Sequence, residues 1–426
     1  MVDVLLDVQA NLPPDLRSVL KRLKSFGTQQ IEPYIARHWE DGTWPSHFVP
    51  SFKNQFPDLL GYTLPTTYGG KGFDLQTSCQ ISMTLASIDG SFTTTVLVQY
   101  GLAAESILIC GNEQQKHKFL PSLATFDQLG CFCLTEPQSG SDASDLKTVA
   151  VPDGHGGYHI TGQKRWIGQG QTADIYIVWA RNIGLPNHPV MGFIVERKHQ
   201  TSSDKIRASK IEGKISMRML QNANVEFLEC YCPPENVMDQ CVGFGQSVGK
   251  VLEASRVSVG WIPVGICMGA LEKTVQYVKE RDAFGAPLSS YQLIQEKLVR
   301  ATSTVASMYL LVQRVTEEYQ KGRCDIAAIS MTKAHNTSAG RTVVSLCREI
   351  LGGNGIVLDY GVASKFCDME STHTYEGTYD ICCLVAGRSL TGHAAIKSPV
   401  GLMASAKKKQ RSKNNNKKKK KLQSRL

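Results

Sequence analysis

Gly130-Cys131-Phe132-Cys133-Leu134-Thr135-Glu136-Pro137-Gln138-Ser139-Gly140-Ser141-Asp142-Ala143 is where the chain changes texture. Its first six residues read as a short β run ending in a turn rich in small and hydroxylic residues. Similar runs follow at Tyr158 to Gly162, Ala173 to Ala180, Val190 to Glu196 and Val225 to Leu228, parted by Gly, Pro, Asn and Asp clusters. Upstream, Leu16, Val19, Leu20, Leu23 and Phe26 recur at helical spacing, with Pro13-Pro14 ahead of that helix and Pro33 as its expected end. An apolar segment surrounds Phe48 to Leu60, and a helical zone runs from about Leu75 to Leu123, broken near Asp89-Gly90 and Gly111-Asn112. Downstream, Val248 to Ala283, Tyr291 to Tyr319 and Ile326 to Leu351 read as long helices, and a last one runs from near Thr378 towards His393. The succession is helical, β, helical, with no repeat and no βαβ alternation. It gives an α+β chain with a helical domain over 1–128, a β domain over 129–240, a helical domain over 241–397 and a low-complexity tail over 398–426.

At 426 residues with 42% hydrophobic and 20% charged side chains, the chain suits a soluble protein with two or three domains. Its net charge of +9 is concentrated at one end. From Lys407 to Leu426 there are 11 Lys or Arg and no acid. Taking these from the 47 basic residues leaves 36 against 38 acids over 1–406. The body is therefore not a nucleic-acid surface by charge. The 13 cysteines include the close pairs Cys131/Cys133, Cys230/Cys232 and Cys382/Cys383 but no C-x-x-C, which favours free thiols over a metal centre or a disulfide framework. The first twelve residues have the character of neither a signal peptide nor a mitochondrial transit peptide. No apolar run is expected to span a membrane.

Five stretches carry chemistry. In His373-Thr374-Tyr375-Glu376-Gly377-Thr378-Tyr379-Asp380 a carboxylate stands between an aromatic ring and a glycine. In a dry pocket its pKa would rise, giving the stronger base that abstraction of a proton next to a carbonyl needs. The plain alternative is a loop or capping glutamate. Leu134 to Ala143 offers donors and hydroxyls to a ligand rich in acceptors, or is an ordinary turn. In Gln163-Lys164-Arg165-Trp166-Ile167-Gly168 the tryptophan either lies against a planar ligand or packs in the core. Arg281-Asp282-Ala283-Phe284-Gly285-Ala286-Pro287-Leu288, with Gln292, and Glu349-Ile350-Leu351-Gly352-Gly353-Asn354-Gly355-Ile356 suit approach to phosphate, although Gly352-Gly353 also fits a helix C-cap.

In this order, and over roughly residues 12–395, these stretches resemble the acyl-CoA dehydrogenase/oxidase family. Arg165-Trp166-Ile167-Gly168 and Glu376-Gly377-Thr378-Tyr379-Asp380 look closest to its plant-type peroxisomal short-chain acyl-CoA oxidases. The resemblance implies an N-terminal helical domain, a β-barrel-like middle domain, a C-terminal four-helix bundle, and non-covalent FAD. It implies Glu376 as catalytic base. It assigns FAD contacts to Cys133, Leu134, Thr135, Ser141, Trp166, Ile167, Gly168, Thr378 and Asp380. Arg281, Phe284, Gln292, Glu349, Gly352 and Gly353 would reach the FAD of a neighbouring subunit, in a dimer of dimers. Ser141, Ser255, Arg256, Tyr375 and Gly377 fall at acyl-CoA-binding positions.

The chain also departs from the family. Gly168 stands where many dehydrogenases of the family carry Thr or Ser, which leaves room for O2. Thr93 takes the place of the arginine that holds a glutaryl carboxylate. Asp145 and Ser364-Lys365 are further departures. Ser424-Arg425-Leu426 resembles the peroxisomal Ser-Lys-Leu address, with Arg for Lys. The expectation is thus a peroxisomal oxidase that converts short- to medium-chain acyl-CoA to trans-2-enoyl-CoA and gives H2O2, imported by the peroxisomal receptor. The alternative is a dehydrogenase serving an electron-transfer flavoprotein. The lysine runs are expected to be a solvated spacer, with a nuclear address or an anionic-surface patch as the competing reading.

Overall fold

The computed structural model describes residues 12–394. The lysine-rich tail and Ser424-Arg425-Leu426 lie outside the described residues. The helical, β, helical succession expected from sequence is present.

The N-terminal part comprises α1 (Pro14–Phe26), α2 (Glu32–Asp41), α3 (Phe48–Gln55), α4 (Leu75–Ile88), α5 (Gly90–Leu97), α6 (Glu105–Cys110) and α7 (Glu113–Ala124). Pro33 does not end the first helix as expected. It occupies the opening turn of α2, where its missing N–H costs nothing, and a five-residue π turn, Gly27–Ile31, joins α1 to α2. Side chains set the other starts. Asp74 caps α4, Asp89 caps α5, and Asn112 forms a reciprocal capping box with Gln115 on α7. Phe26, Phe48, Phe52, Phe56 and Phe92 are buried together, edge-on or tilted. Each such ring contributes roughly 1.5–3 kcal/mol by leaving water.

The middle part is one eight-stranded sheet. Its strands are β1 (Gly130–Cys133), β2 (Val149–Pro152), β3 (Tyr158–Gly168), β4 (Ile175–Asn182), β5 (Val190–Glu196), β6 (Ile206–Lys210), β7 (Asn222–Cys232) and β8 (Val237–Met238). The order is β6-β7-β3-β2-β4-β5-β8, with β1 parallel to β4. The sheet has ends at β6 and β8, so its hydrogen bonding does not close into a barrel. The register of β3 on β7 slips between Lys164 and Ile167. Lys164, ahead of the slip, points inward, and the slip turns Trp166 outward against strict alternation.

The C-terminal part comprises α8 (Val248–Val259), α9 (Ile262–Glu280), the hairpin β9 (Asp282–Ala283) and β10 (Ala286–Pro287), α10 (Gln292–Gln320), α11 (Ile326–Ile350), α12 (Ala363–Thr374) and α13 (Tyr379–Thr391). The expected single helix from Val248 is two, parted at Gly260-Trp261, and α12 was not expected at all. The helical runs Gly90–Cys110 and Val248–Glu280 are long and apolar enough to cross a membrane, but they are mostly buried inside the fold. Gly265 and Gly269 let α9 lie directly on α4. A Cβ at either would strike the carbonyl of Met83 or Ser87. The N-terminal helices and the C-terminal bundle thereby share a core.

Candidate active site

The turn between α12 and α13 holds Tyr375, Glu376 and Gly377. Glu376 has φ +55 and Gly377 φ +90. A left-handed glutamate costs about 1–2 kcal/mol and persists only where surroundings impose it. Here they do. Ser255 Oγ donates to Glu376 Oε2 at 3.0 Å, and Arg256 Nε donates to the Glu376 carbonyl at 3.0 Å, both from α8. Lys333 Nζ, from α11, donates to the carbonyls of Tyr375 at 2.8 Å and Gly377 at 2.6 Å. A side chain on Gly377 would press on Cys382 Sγ and the Arg256 guanidinium. Thr378 caps α13 through Ile381 N–H at 3.2 Å, and Asp380 lies exposed in the first turn of that helix.

Glu376 is half-buried as a residue. Desolvation raises its pKa, against the opposing pull of Arg256, Ser255 and Lys333. No protein acceptor takes the Glu376 N–H among the described residues. The Tyr375 hydroxyl is buried beside Thr94 without a well-formed hydrogen bond.

The β domain supplies the facing wall. A Cβ built on buried Gly168 would meet Val98 at 3.4 Å and Leu220 at 3.8 Å, which places the end of β3 against the N-terminal helices. Trp166 has φ +66 and is 49% exposed, so it is not a core residue of this chain. Its carbonyl accepts from Asn222 Nδ2 at 3.2 Å. The loop before β7 is pinned by Lys214, whose Nζ reaches Met217 O, Leu220 O and Asn222 Oδ1 at 2.6–2.8 Å. Met217 N–H in turn donates to Asp368 on α12, tying this wall to the helix that leads into the Glu376 turn.

The turn after β1 is built around a buried ion pair. Lys164 Nζ reaches Glu136 Oε1 at 2.9 Å, Leu134 O at 3.0 Å and Trp179 O at 2.8 Å. Glu136 also accepts the N–H groups of Lys147 and Thr148. Thr135 O accepts from Arg165 N–H at 2.8 Å, which sets the turn beside Trp166. Cys133 and Leu134 are buried below it. The hydroxyls of half-buried Thr135 and exposed Ser141 are unspent by other protein groups among the described residues. An exposed tryptophan, two unspent hydroxyls and the edge of Gly168 fit a planar group with polar edges.

Arg281, Phe284, Gln292, Glu349, Gly352 and Gly353 form a second cluster, at the end of the bundle where α9 ends, α10 begins and α11 ends. Asn354 Nδ2 bonds Tyr277 OH at 2.9 Å, and Lys297 pairs with Glu349 at 3.0 Å. All six are exposed, Phe284 to 98%. They are not assembled with Glu376 within this chain. Arg256, expected to bind substrate, is buried behind the base turn, with Nη1 3.3 Å from Ser330 Oγ. Sequence reasoning missed Lys333, Ser330 and the Glu136–Lys164 pair. A lone lysine on the Ser330, Lys333, Thr337, Gly340 face of α11 was the available signal.

The acyl-CoA dehydrogenase N-terminal, middle and C-terminal domains match residues 13–127, 131–230 and 243–391. An acyl-CoA dehydrogenase of Bacillus subtilis (strain 168) is 29% identical over 376 residues, 87% of this chain and 97% of that one. A glutaryl-CoA dehydrogenase from Mycobacterium smegmatis, solved in complex with FADH2, superposes with TM-score 0.86 at 30% identity, covering 92% of this chain and 98% of the other. Butyryl-CoA dehydrogenase from Megasphaera elsdenii superposes with TM-score 0.81 at 29% identity, covering 89% and 99%. The chain belongs to the acyl-CoA dehydrogenase family. It is an oxidoreductase of acyl-CoA dehydrogenase type, and its cofactor is FAD.

Proposed function

We propose that the protein converts short- to medium-chain acyl-CoA thioesters to trans-2-enoyl-CoA, with Glu376 as the base. The observation that carries this reading is the Glu376 turn. A single residue offers a carboxylate of raised pKa and an unspent backbone N–H on the same small turn. In the proposed reaction the carboxylate takes the α-proton, and the N–H stabilises the negative charge that develops on the thioester oxygen. Bound FAD supplies the acceptor for the β-hydrogen, which leaves as hydride. Ser255 holds one carboxylate oxygen in place, leaving the other free for the proton. FAD would lie against Trp166, the Thr135–Ser141 turn and Gly168. Thr93 is buried with its hydroxyl on Asp89 O at 2.9 Å, and it brings no cation for a distal carboxylate, so monocarboxylic acyl groups fit better than glutaryl.

The destination of the electrons separates two readings. The relatives named above are dehydrogenases, which supports transfer to an electron-transfer flavoprotein. The oxidase reading, with O2 as acceptor in the peroxisome, rests on Gly168 and on the terminal Ser424-Arg425-Leu426. Oxygen consumption and peroxide release with butanoyl-CoA, beside turnover with a flavoprotein acceptor, separate them. Stoichiometric peroxide at full rate supports the oxidase. Turnover only with the protein acceptor supports the dehydrogenase. Turnover with neither overturns the proposal.

A further inference from the structure

Three consecutive carbonyls, of Tyr375, Glu376 and Gly377, turn towards two buried cations. Lys333 takes the first and third, and Arg256 takes the second. Lys333 is fully buried, and among the described residues it forms no ion pair. Burying an ammonium costs several kcal/mol, and hydrogen bonds to two neutral carbonyls offset only part of that. A plain structural tie would not need the charge. Glu376 is the carboxylate whose charge acts on Lys333, and the lysine in turn acts on the group that must be ionised to serve as base.

We propose that Lys333 is a positioning residue for proton abstraction: it locks the left-handed turn so that the carboxylate and N–H of Glu376 meet the same thioester, and its charge favours the ionised carboxylate. The proposal rests on the reading of Glu376 as the base. Lys333 reaches the turn from α11, while Arg256 reaches it from α8, so the turn is held from two helices. The ring of Tyr375 lies 5.9 Å from the ammonium. The charged groups facing it are Glu376, which favours its charge, and Arg256, which opposes it; Cys382, pushed up by burial, and His373, pushed down by it, are the other titratable neighbours and are neutral where Lys333 titrates. Burial, the largest influence, pulls Lys333 down to about 8. Below that pH the clamp carries a positive charge; above it the neutral amine keeps two N–H groups for the two carbonyls, and what is lost is the charge beside Glu376. The activity of the native protein should rise as Glu376 ionises and fall as Lys333 loses its proton.

The test uses the full-length, FAD-loaded protein and its K333M, K333R and E376Q variants, with kcat and KM for butanoyl-CoA followed across both titrations. In K333M, kcat should fall roughly 10- to 100-fold with KM changed less than about threefold. Its acid limb should move to higher pH and its alkaline limb should vanish. K333R, which keeps the charge, should retain the acid limb and also lose the alkaline one. A K333M protein with native kcat and a native pH profile overturns the proposal. If K333M does not hold FAD, K333R decides, because an unmoved alkaline limb there shows that Lys333 is not the titrating group. E376Q turning over at the native rate would remove the base assignment itself. An inactive E376Q beside a native-like K333M would remove only the role of Lys333.

Discussion

Ser255 and Glu376 stand 121 residues apart in sequence, and the Ser255 hydroxyl lies 3.0 Å from Glu376 Oε2. It is a neutral donor on a carboxylate that burial has already made more basic. The two effects oppose each other, and the base is tuned by their balance.

Ser255→Ala should therefore raise the pKa of the base further. A hydrogen bond to a charged group contributes about 1.5–3 kcal/mol, or roughly one to two pH units. The acid limb of kcat/KM should move up by that amount. The rate should approach the native value once Glu376 is ionised, and a pH–rate profile of the variant reads both.

Lys164→Met should leave Glu136 as an uncompensated buried charge. Breaking such a pair costs about 3–5 kcal/mol. The turn after β1 would lose its ties to Leu134 O and Trp179 O, so weaker FAD retention should accompany a lower denaturation midpoint. Denaturant unfolding with and without added FAD measures both.

Asp368 accepts from Met217 N–H and Trp39 Nε1 in full burial. Desolvation and the neighbouring Asp89 push its pKa up, with Lys365 pulling the other way. A carboxyl raised in the fold costs stability above its folded pKa, and the cost disappears as pH falls towards its unfolded value. Asp368→Asn keeps an acceptor for both donors and removes the charge. It should raise Tm on the alkaline side, with a gain that shrinks as the medium is acidified.

Gly168→Thr meets ordinary contact at Val98 and needs no strained backbone. On the oxidase reading it should slow reoxidation of the reduced protein by O2 several-fold and leave reduction by acyl-CoA close to native. Unchanged oxygen reactivity would remove Gly168 as a determinant.

The order of domains was legible because periodicity switches near Leu129 and back near Phe244, and core burial obeys that switch. The base turn was legible as a motif. Its geometry was not. The left-handed φ of Glu376 comes from Lys333 and Arg256, which lie 43 and 120 residues earlier in the chain. Trp166 reads as a strand residue, and only the slipped register of β3 on β7 turns it out of the core. α12 was hidden because Ala363 to Thr374 mixes buried Lys365 and Asp368 into the face that should look apolar. Polar groups satisfied by distant partners break the local pattern that sequence reading depends on.

The most direct test of the account mixes the FAD-loaded protein with butanoyl-, hexanoyl- and octanoyl-CoA in the absence of oxygen and follows flavin absorbance, for the native chain and for Glu376→Gln. The account predicts rapid bleaching with formation of enoyl-CoA in the native protein, and a rate slower by about 10²- to 10⁴-fold in the variant. A native protein that no acyl-CoA bleaches, or a variant that bleaches at the native rate, would contradict it.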